Sequence, residues 1–259
     1  MEKLINLVKE CTVTSNLVAP PTRRLDPKEY ADLKKYLLAI GGKWVGGKTQ
    51  AFLFNADVTP RINELLDGGK KVNLKKDYQF FATPSGLADQ LVNIAISKQA
   101  WPDPSYFNYL EPSAGHGAII KAIHKFVPGV KVDYCEIMPE NQKVLKDLRY
   151  EENAPNMLYV GPDFLSLDAS MVYSRIIANP PFTKNQDITH VQKMYRHLDS
   201  GGRLVSVMST FWQTGKLKMH QQFRQWLDDL SGETIDVPRG TFKESGTEVP
   251  SVIVVIDHP

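Results

Sequence analysis

Apolar and polar positions change their rhythm near residue 79. Before it, Leu4, Ile5, Leu7 and Val8 share one side of a helical period and predict a short amphipathic helix over residues 1–10. Residues 15–24, carrying Pro20-Pro21, read as a linker. Asp26-Pro27 opens a helix to about Ile40, capped by Asp26 and stopped by Gly41-Gly42. Lys43-Trp44-Val45 and Ala51-Phe52-Leu53-Phe54 flank Gly46-Gly47-Lys48, a hairpin signal. A further helix is expected from about Thr59 to Asp67.

From Phe80 onward, helical periods alternate with short apolar runs. Helices are expected at Thr83–Ser97, Ala118–Phe126, Pro139–Tyr150, Ile188–Leu198 and Leu217–Leu230. Thr83 is expected as the first cap, with Pro84 at the first helical position. Gly201-Gly202 is expected to end the fourth helix. Strands are expected at Phe107–Leu110, Lys131–Glu136, Met157–Val160, Arg175–Ala178, Leu204–Met208, Glu233–Val237 and Ser251–Ile256. This alternation argues an α/β fold with a mostly parallel sheet covered on both faces. Two domains are expected: a small α+β module over residues 1–78 and a larger α/β domain over 79–259.

Charge sharpens that division. Residues 1–78 hold 14 Lys or Arg against 9 Asp or Glu, net +5, and residues 79–259 hold 17 against 20, net −3. A basic module on a mildly acidic body suits a polyanionic partner. Lys43, Lys48, Lys70, Lys71, Lys75 and Lys76 are its candidate phosphate contacts. The plainer reading is a packing cap with Trp44 and Phe52 in its core. Cys11 and Cys135 have no metal-ligand spacing and form no disulfide framework, which fits a reducing, cytoplasmic setting. No metal site is expected. No apolar run approaches the roughly 20 residues of a membrane span, and the N-terminus does not read as a signal peptide.

The chemistry gathers at strand ends. Asn179-Pro180-Pro181-Phe182 closes the apolar run Arg175–Ala178, and two prolines stop a strand and fix its exit. An amide and a ring at the carboxyl end of a strand suit a planar substrate with an amino group. The first strand of the α/β domain runs into Glu111-Pro112-Ser113-Ala114-Gly115-His116-Gly117, whose glycines allow a tight turn and close approach of a ligand. Glu136 follows after the next strand, where a ribose-hydroxyl acceptor commonly stands. A dinucleotide would want a third glycine where Ile120 stands, and Glu111 would repel its pyrophosphate. A cationic ligand fits better. Asp163-Phe164 follows the third strand: the acid suits an adenine amine, or simply a local cap.

These motifs, in this order and spacing, resemble the class I S-adenosylmethionine-dependent amino-methyltransferases. Phe81-Ala82-Thr83-Pro84, ahead of the glycine turn, looks like the additional cofactor motif of DNA adenine methyltransferases. Ala39-Ile40-Gly41-Gly42-Lys43-Trp44 and Phe242-Lys243-Glu244-Ser245-Gly246-Thr247 look similar to small phage- and plasmid-type members. The resemblance implies a Rossmann-like sheet of seven strands with an antiparallel last strand, and S-adenosylmethionine as cofactor. It implies that Glu111, Gly115 and Gly117 line the methionine part, with Phe81, Pro112 and Ala114 in the same cofactor-lining set. Thr83 and Pro84 would close over it. Glu136 would take the ribose hydroxyls, Ile137 would pack on the adenine, and Asp163 with Phe164 would read its amine and ring. Asn179 and Pro180 would hold the target amine beside Pro181, with Asn179 also touching the cofactor, and Phe182 would stack on the target base.

The expected enzyme is therefore a DNA adenine-N6 methyltransferase acting on double- or single-stranded DNA. RNA adenine methylation and a non-catalytic nucleic-acid binder are the alternatives. No separate target-recognition domain is expected, which implies short or relaxed sequence specificity. Trp212 is either a second wall for the base or a core residue. Lys184, Lys216 and Lys218 fall in loops on the expected active-site side, and Gly240–Thr247 at its rim. His116 and His124 have no clustered partner.

Overall fold

Two sheets form, and the chain divides around them into compact units, Met1–Phe80 and Phe81–Pro259. A computed structural model describes residues 2–54, 57–66, 81–97, 103–151, 156–243, 245 and 247–259.

The first unit runs α1 (Glu2–Lys9), β1 (Thr12–Thr14), β2 (Leu17–Ala19), α2 (Pro27–Ala39), β3 (Lys43–Val45), β4 (Ala51–Leu53) and α3 (Thr59–Leu66). Its strands make an antiparallel sheet in the order β1-β2-β4-β3. The linker expected over 15–24 is instead half hairpin, with Thr12↔Ala19 and Val13↔Val18 paired. Phe54 N–H and Val58 N–H donate to the turn carbonyls of Asn16 and Ser15 at 2.8 and 2.6 Å. Helix α2 starts with a capping box: Asp26 Oδ1 accepts from Lys28 and Glu29 N–H, and Glu29 Oε2 accepts from Asp26 N–H at 3.0 Å. Such a cap contributes about 1 kcal/mol. Phe52 lies wholly in the core, whereas Trp44 on β3 stays 41% exposed and meets Phe52 edge-on at 5.0 Å. Lys70, Lys71, Lys75 and Lys76 lie outside the described residues.

The second unit runs α4 (Ser85–Ile96), β5 (Tyr109–Glu111), α5 (Ala118–Phe126), β6 (Val132–Cys135), α6 (Pro139–Glu151), β7 (Met157–Gly161) and β8 (Tyr173–Ala178). It continues with α7 (Gln186–Arg196), β9 (Leu198–Ser209), α8 (Phe211–Thr214), α9 (Lys218–Asp229), β10 (Glu233–Asp236) and β11 (Ser251–Asp257). The seven strands lie in the order β10-β11-β9-β8-β5-β6-β7. Neighbours from β7 to β9 pair in parallel, and β11 is antiparallel to both β9 and β10. This is a Rossmann-like sheet with an antiparallel final strand.

Strands buried on both faces read as unbroken apolar runs, as at Ile176-Ile177-Ala178. Ile177, Val205 and Ile253 pack on one face with Leu91, Ile119 and Leu145 of α4, α5 and α6. Ile176, Leu204 and Val254 pack on the other with Val191 and Phe223 of α7 and α9. Each fully buried Val, Leu or Ile contributes ~1.5–3 kcal/mol.

Two boundary expectations are corrected. Helix α4 begins at Ser85, its cap is Pro84, and no side chain caps it. Gly201-Gly202 does not end α7, which stops at Arg196; the pair sits inside β9. Gly201 has φ +71, and a Cβ on Gly202 would stand 2.7 Å from Asp199 O, so the strand folds too tightly there for a side chain. The β8–β9 register shifts at this place, between Tyr173 and Arg175. Further along β9, Arg203 makes a two-pronged bond to Asp257 on β11, 2.6 Å on each oxygen. It also donates to the carbonyls of Ile94 and Ser97, where a cation complements the carboxyl end of α4. Among the described residues, no helix is long and apolar enough to cross a membrane.

Candidate active site

Parallel strands end at one edge, and there the motif residues collect. Tyr109↔Arg175 and Leu110↔Ile176 pair β5 with β8, so Glu111 and Asn179 leave from neighbouring strand ends. Adjacent strands are ~4.8 Å apart. On the other side of β5, Glu111 pairs with Tyr134 of β6, and Glu136 follows two residues on.

The turn after β5 is built on backbone. Ala114 N–H donates to Cys135 O at 2.9 Å and Gly117 N–H to Ala114 O at 2.7 Å. Gly115 and Gly117 have φ of +54 and +75, left-handed values natural to glycine. Gly117 has a second constraint: a Cβ there would stand 2.7 Å from Leu148 and 3.0 Å from Leu145, so its bareness also lets α6 pack.

Glu136 binds this turn. Its Oε2 accepts from Gly115 N–H at 2.6 Å, and its Oε1 from Met138 N–H at 2.7 Å and Asn141 Nδ2 at 3.3 Å. Burial raises its pKa, and those donors hold the rise down. Glu111 has less help. It is 2% exposed and its Oε2 has no hydrogen-bond partner. Burial lifts its pKa well above the usual carboxylate range, the Ile120 N–H opposes that, and nearby Glu136 adds to it. A buried carboxyl with one unpartnered oxygen beside a second carboxyl suits a cationic ligand.

Two side chains expected around the adenine differ in access. Ile137 is 53% exposed, whereas Phe164 is 1% exposed. The Phe164 ring is packed against His190 and His197, with centroids at 6.0 and 5.3 Å, so it forms core and offers no face for stacking. Asp163 caps the short 3-10 turn Phe164–Ser166 by accepting from Leu165 N–H at 2.9 Å, and Ser166 Oγ donates to it at 3.2 Å. A carboxylate so bonded keeps lone pairs for one more donor.

The Asn179 amide is oriented. Its Nδ2 donates to Thr83 Oγ1 at 3.1 Å, with a longer approach of 3.5 Å to Phe81 O. The threonine read as a helix cap is thus engaged by the corner. Among the described residues no donor reaches the Asn179 Oδ1. From the other side, Ser245 Oγ donates to Ala82 O at 2.6 Å, which brings the loop between β10 and β11 onto this segment. Pro180 is buried, while Pro181 and Phe182 are half-buried, with Phe182 against the core.

The chain then makes a turn that sequence reasoning missed. Lys184 and Asn185 have φ of +55 and +60, and non-glycine residues there cost about 1–3 kcal/mol each. Two anchors hold the strain. Asn185 Oδ1 accepts from His220 Nε2 at 2.9 Å, and its Nδ2 lies 3.4 Å from Met219 Sδ. Asp187, buried at the start of α7, accepts from Ser209 N–H and Oγ at 3.0 and 2.8 Å. Trp212 is core: 4% exposed, edge-on to Phe223 at 4.9 Å. Lys184, Lys216 and Lys218 are exposed. His124 bonds Val130 O at 3.1 Å, a structural contact.

Comparison with known proteins meets this geometry. The family model of the methyltransferase small domain matches residues 104–229. The fold is that of a class I S-adenosylmethionine-dependent methyltransferase. A protein described as such from Listeria monocytogenes aligns with a TM-score of 0.50 at 14% identity, over 68% of this chain and 60% of its own. TrmN from Thermus thermophilus aligns at 0.50 and 15%, over 81% and 57%. A protein described as an O-methyltransferase from Klebsiella pneumoniae aligns at 0.50 and 11%, over 69% and 82%. The alignments thus span less than two thirds of the Listeria and Thermus proteins. At these identities the likeness is one of fold.

S-adenosylmethionine is the cofactor that the fold implies, and the residues present fit it. The unpaired Glu111 oxygen would receive the cationic methionine end, and the bare turn at Gly115 would let it approach. Glu136 would serve the ribose and exposed Ile137 the base. A cation beside Glu111 favours its ionised form, so cofactor binding should release protons below the raised pKa. Affinity should then climb as pH rises through that pKa and level off above it. Calorimetry in buffers of different ionisation enthalpy counts the protons; an uptake would contradict the assignment.

Proposed function

We propose that this methyltransferase methylates the exocyclic N6 amine of adenine in DNA, with the base turned out of the helix and with short or relaxed sequence specificity. The observation that carries this reading is the Asn179 amide. Thr83 takes its N–H side, and among the described residues no donor reaches its oxygen. Such a corner accepts hydrogen bonds and so disfavours a carbonyl. With the Pro180 carbonyl as a second acceptor, it suits the two N–H bonds of an amine better than the single O–H of a hydroxyl.

When bound, S-adenosylmethionine supplies a methyl group already activated on a sulfonium. The chain's own work is then to place and prepare the nucleophile. An aryl amine is weak because its lone pair is delocalised into the ring. Asn179 Oδ1 and the Pro180 carbonyl, accepting its two N–H bonds, favour a tetrahedral nitrogen and return that lone pair. They also stabilise the positive charge that grows on nitrogen during transfer. Phe182 offers a face for the base. No base has to remove a proton first. A base in a duplex must leave the stack, at a cost of a few kcal/mol that stacking and hydrogen bonding in the pocket offset. The +5 charge of residues 1–78 supports a polyanionic substrate.

Nucleoside mass spectrometry of DNA and RNA treated with enzyme and cofactor tests this. N6-methyl-deoxyadenosine that disappears with Asn179→Ala is expected. A signal in RNA alone would turn the reading to the RNA alternative. No nucleic-acid product despite cofactor binding would end it. Thr83→Val keeps the shape but frees the amide to turn; losing one hydrogen bond of about 1 kcal/mol should slow single-turnover transfer about threefold to tenfold. An unchanged rate would show that Thr83 does not orient Asn179.

A further inference from the structure

Beside the acceptor corner stands an exposed apolar apex that the chemistry above does not use. Strand β9 is parallel to β8, with Ala178↔Ser206 paired, so its carboxyl end leads to the same edge. There α8, barely one turn long, turns Trp212 inward and leaves Phe211 59% exposed. A few residues on, Leu217 is 56% exposed between the exposed lysines Lys216 and Lys218.

The apex is firmly held. Gly215 N–H donates to Phe211 O at 3.0 Å. Arg224 Nη1 donates to the carbonyls of Trp212 and Gly215 at 2.5 and 3.1 Å, drawing the loop back on α9. It is also tied to the corner, because His220 and Met219 of α9 hold Asn185. Lys184, next to Asn185, is exposed. The sequence has no Asp or Glu between Asp199 and Asp228, a stretch whose exposed cations are Lys216 and Lys218.

We propose that Phe211 and Leu217, with Lys184, Lys216 and Lys218, form a platform that grips a single DNA strand next to the extruded target nucleotide. This rests on the nucleic-acid reading of the site. A rigid exposed ring among cations, with no acid in its stretch, suits bases that stack and phosphates that follow. Such stacking is tolerant of sequence, since every base has a π-face. The charge complementarity favours a polyanion over a protein partner. The platform would fix the strand while the corner holds one amine, and it would act on substrate binding rather than on transfer.

Fluorescence anisotropy with a labelled single-stranded 20-mer, across a salt series, tests the platform. Phe211→Ala should weaken binding about tenfold with the salt slope unchanged. Phe211→Tyr should bind within about twofold of the parent, and Phe211→Leu should behave like the alanine variant, since stacking and not bulk apolarity is at work. Lys216→Gln with Lys218→Gln should reduce the slope of log affinity against log salt by about 1.4. All variants should keep the parent's melting temperature and cofactor affinity, and their KM for the strand should rise with kcat retained. Variants that bind the strand like the parent, while the parent methylates DNA, overturn the platform alone. A Leu variant that binds as tightly as the parent overturns stacking in favour of a general apolar contact. A parent that binds cofactor but neither binds nor methylates nucleic acid overturns the functional reading, and the platform with it.

Discussion

Asn179→Ala is expected to lower kcat for methyl transfer by about 10²–10³-fold, the usual effect of removing one preorganised partner of a developing charge. Cofactor affinity should move far less, because Glu111 and Glu136 remain. The change strips the amide oxygen, which no donor among the described residues reaches, and it frees Thr83 Oγ1. Asn179→Asp gives a sharper comparison. It keeps an acceptor, but its charge joins two buried carboxylates, and Thr83 must switch from accepting to donating. An intermediate rate is expected, with cofactor binding more sensitive to pH. Rapid-quench rates beside calorimetric affinities separate the two effects. A large loss of cofactor affinity with kcat intact would place Asn179 on the cofactor only.

Glu111→Gln should push stability and binding in opposite directions. In the ligand-free protein, Glu111 is buried with an unpaired oxygen, and burial raises its pKa above the unfolded value. A carboxyl whose folded pKa is raised binds its proton more tightly folded than unfolded. Stability is therefore lost as pH climbs from the unfolded value of about 4.3 through the raised one. Glutamine, neutral and of like shape, avoids that loss. The variant should match the parent near pH 4 and melt higher at neutral pH, by roughly 2–4 °C for each kcal/mol relieved. Cofactor affinity should fall about 10- to 100-fold, since a hydrogen bond to a charged partner is worth about 1.5–3 kcal/mol. Thermal melts from pH 4 to 8 and calorimetry read both. A lower melting point at neutral pH with unchanged affinity would mean that Glu111 is a structural carboxyl.

Much of this was legible along the chain, and the failures share a cause. The apolar runs around Ile176 and Ile253 marked strands because both faces of a parallel sheet are covered, and the polar residues that interrupt them mark strand ends. Glu111, Glu136 and Asn179 could be set at one edge because parallel strands end together. The hairpin at Thr12–Ala19 was hidden because it turns at Ser15-Asn16 with no glycine to mark it, whereas Gly46-Gly47 marked the equally short β3 and β4. Phe211 and Trp212 could not be told apart because a helix of four residues has no period to show which ring turns in. Phe164 looked available beside Asp163, yet the 3-10 turn that Asp163 caps directs it into the core. Thr83 looked like a cap, and only the fold brings Asn179, 96 residues away, to claim its hydroxyl. Asn185 and His220, 35 residues apart, carry no mutual sign in one sequence.

Strand β11 comes last of the seven in sequence, yet it lies between β9 and β10. During synthesis, β10 has no partner and β9 keeps one open flank until residues 251–257 leave the ribosome. That flank is long and apolar, and unpaired strand edges of this kind invite wrong partners. The nascent chain thus waits with an unfinished seam, which only the late-arriving Val252–Ile256 closes.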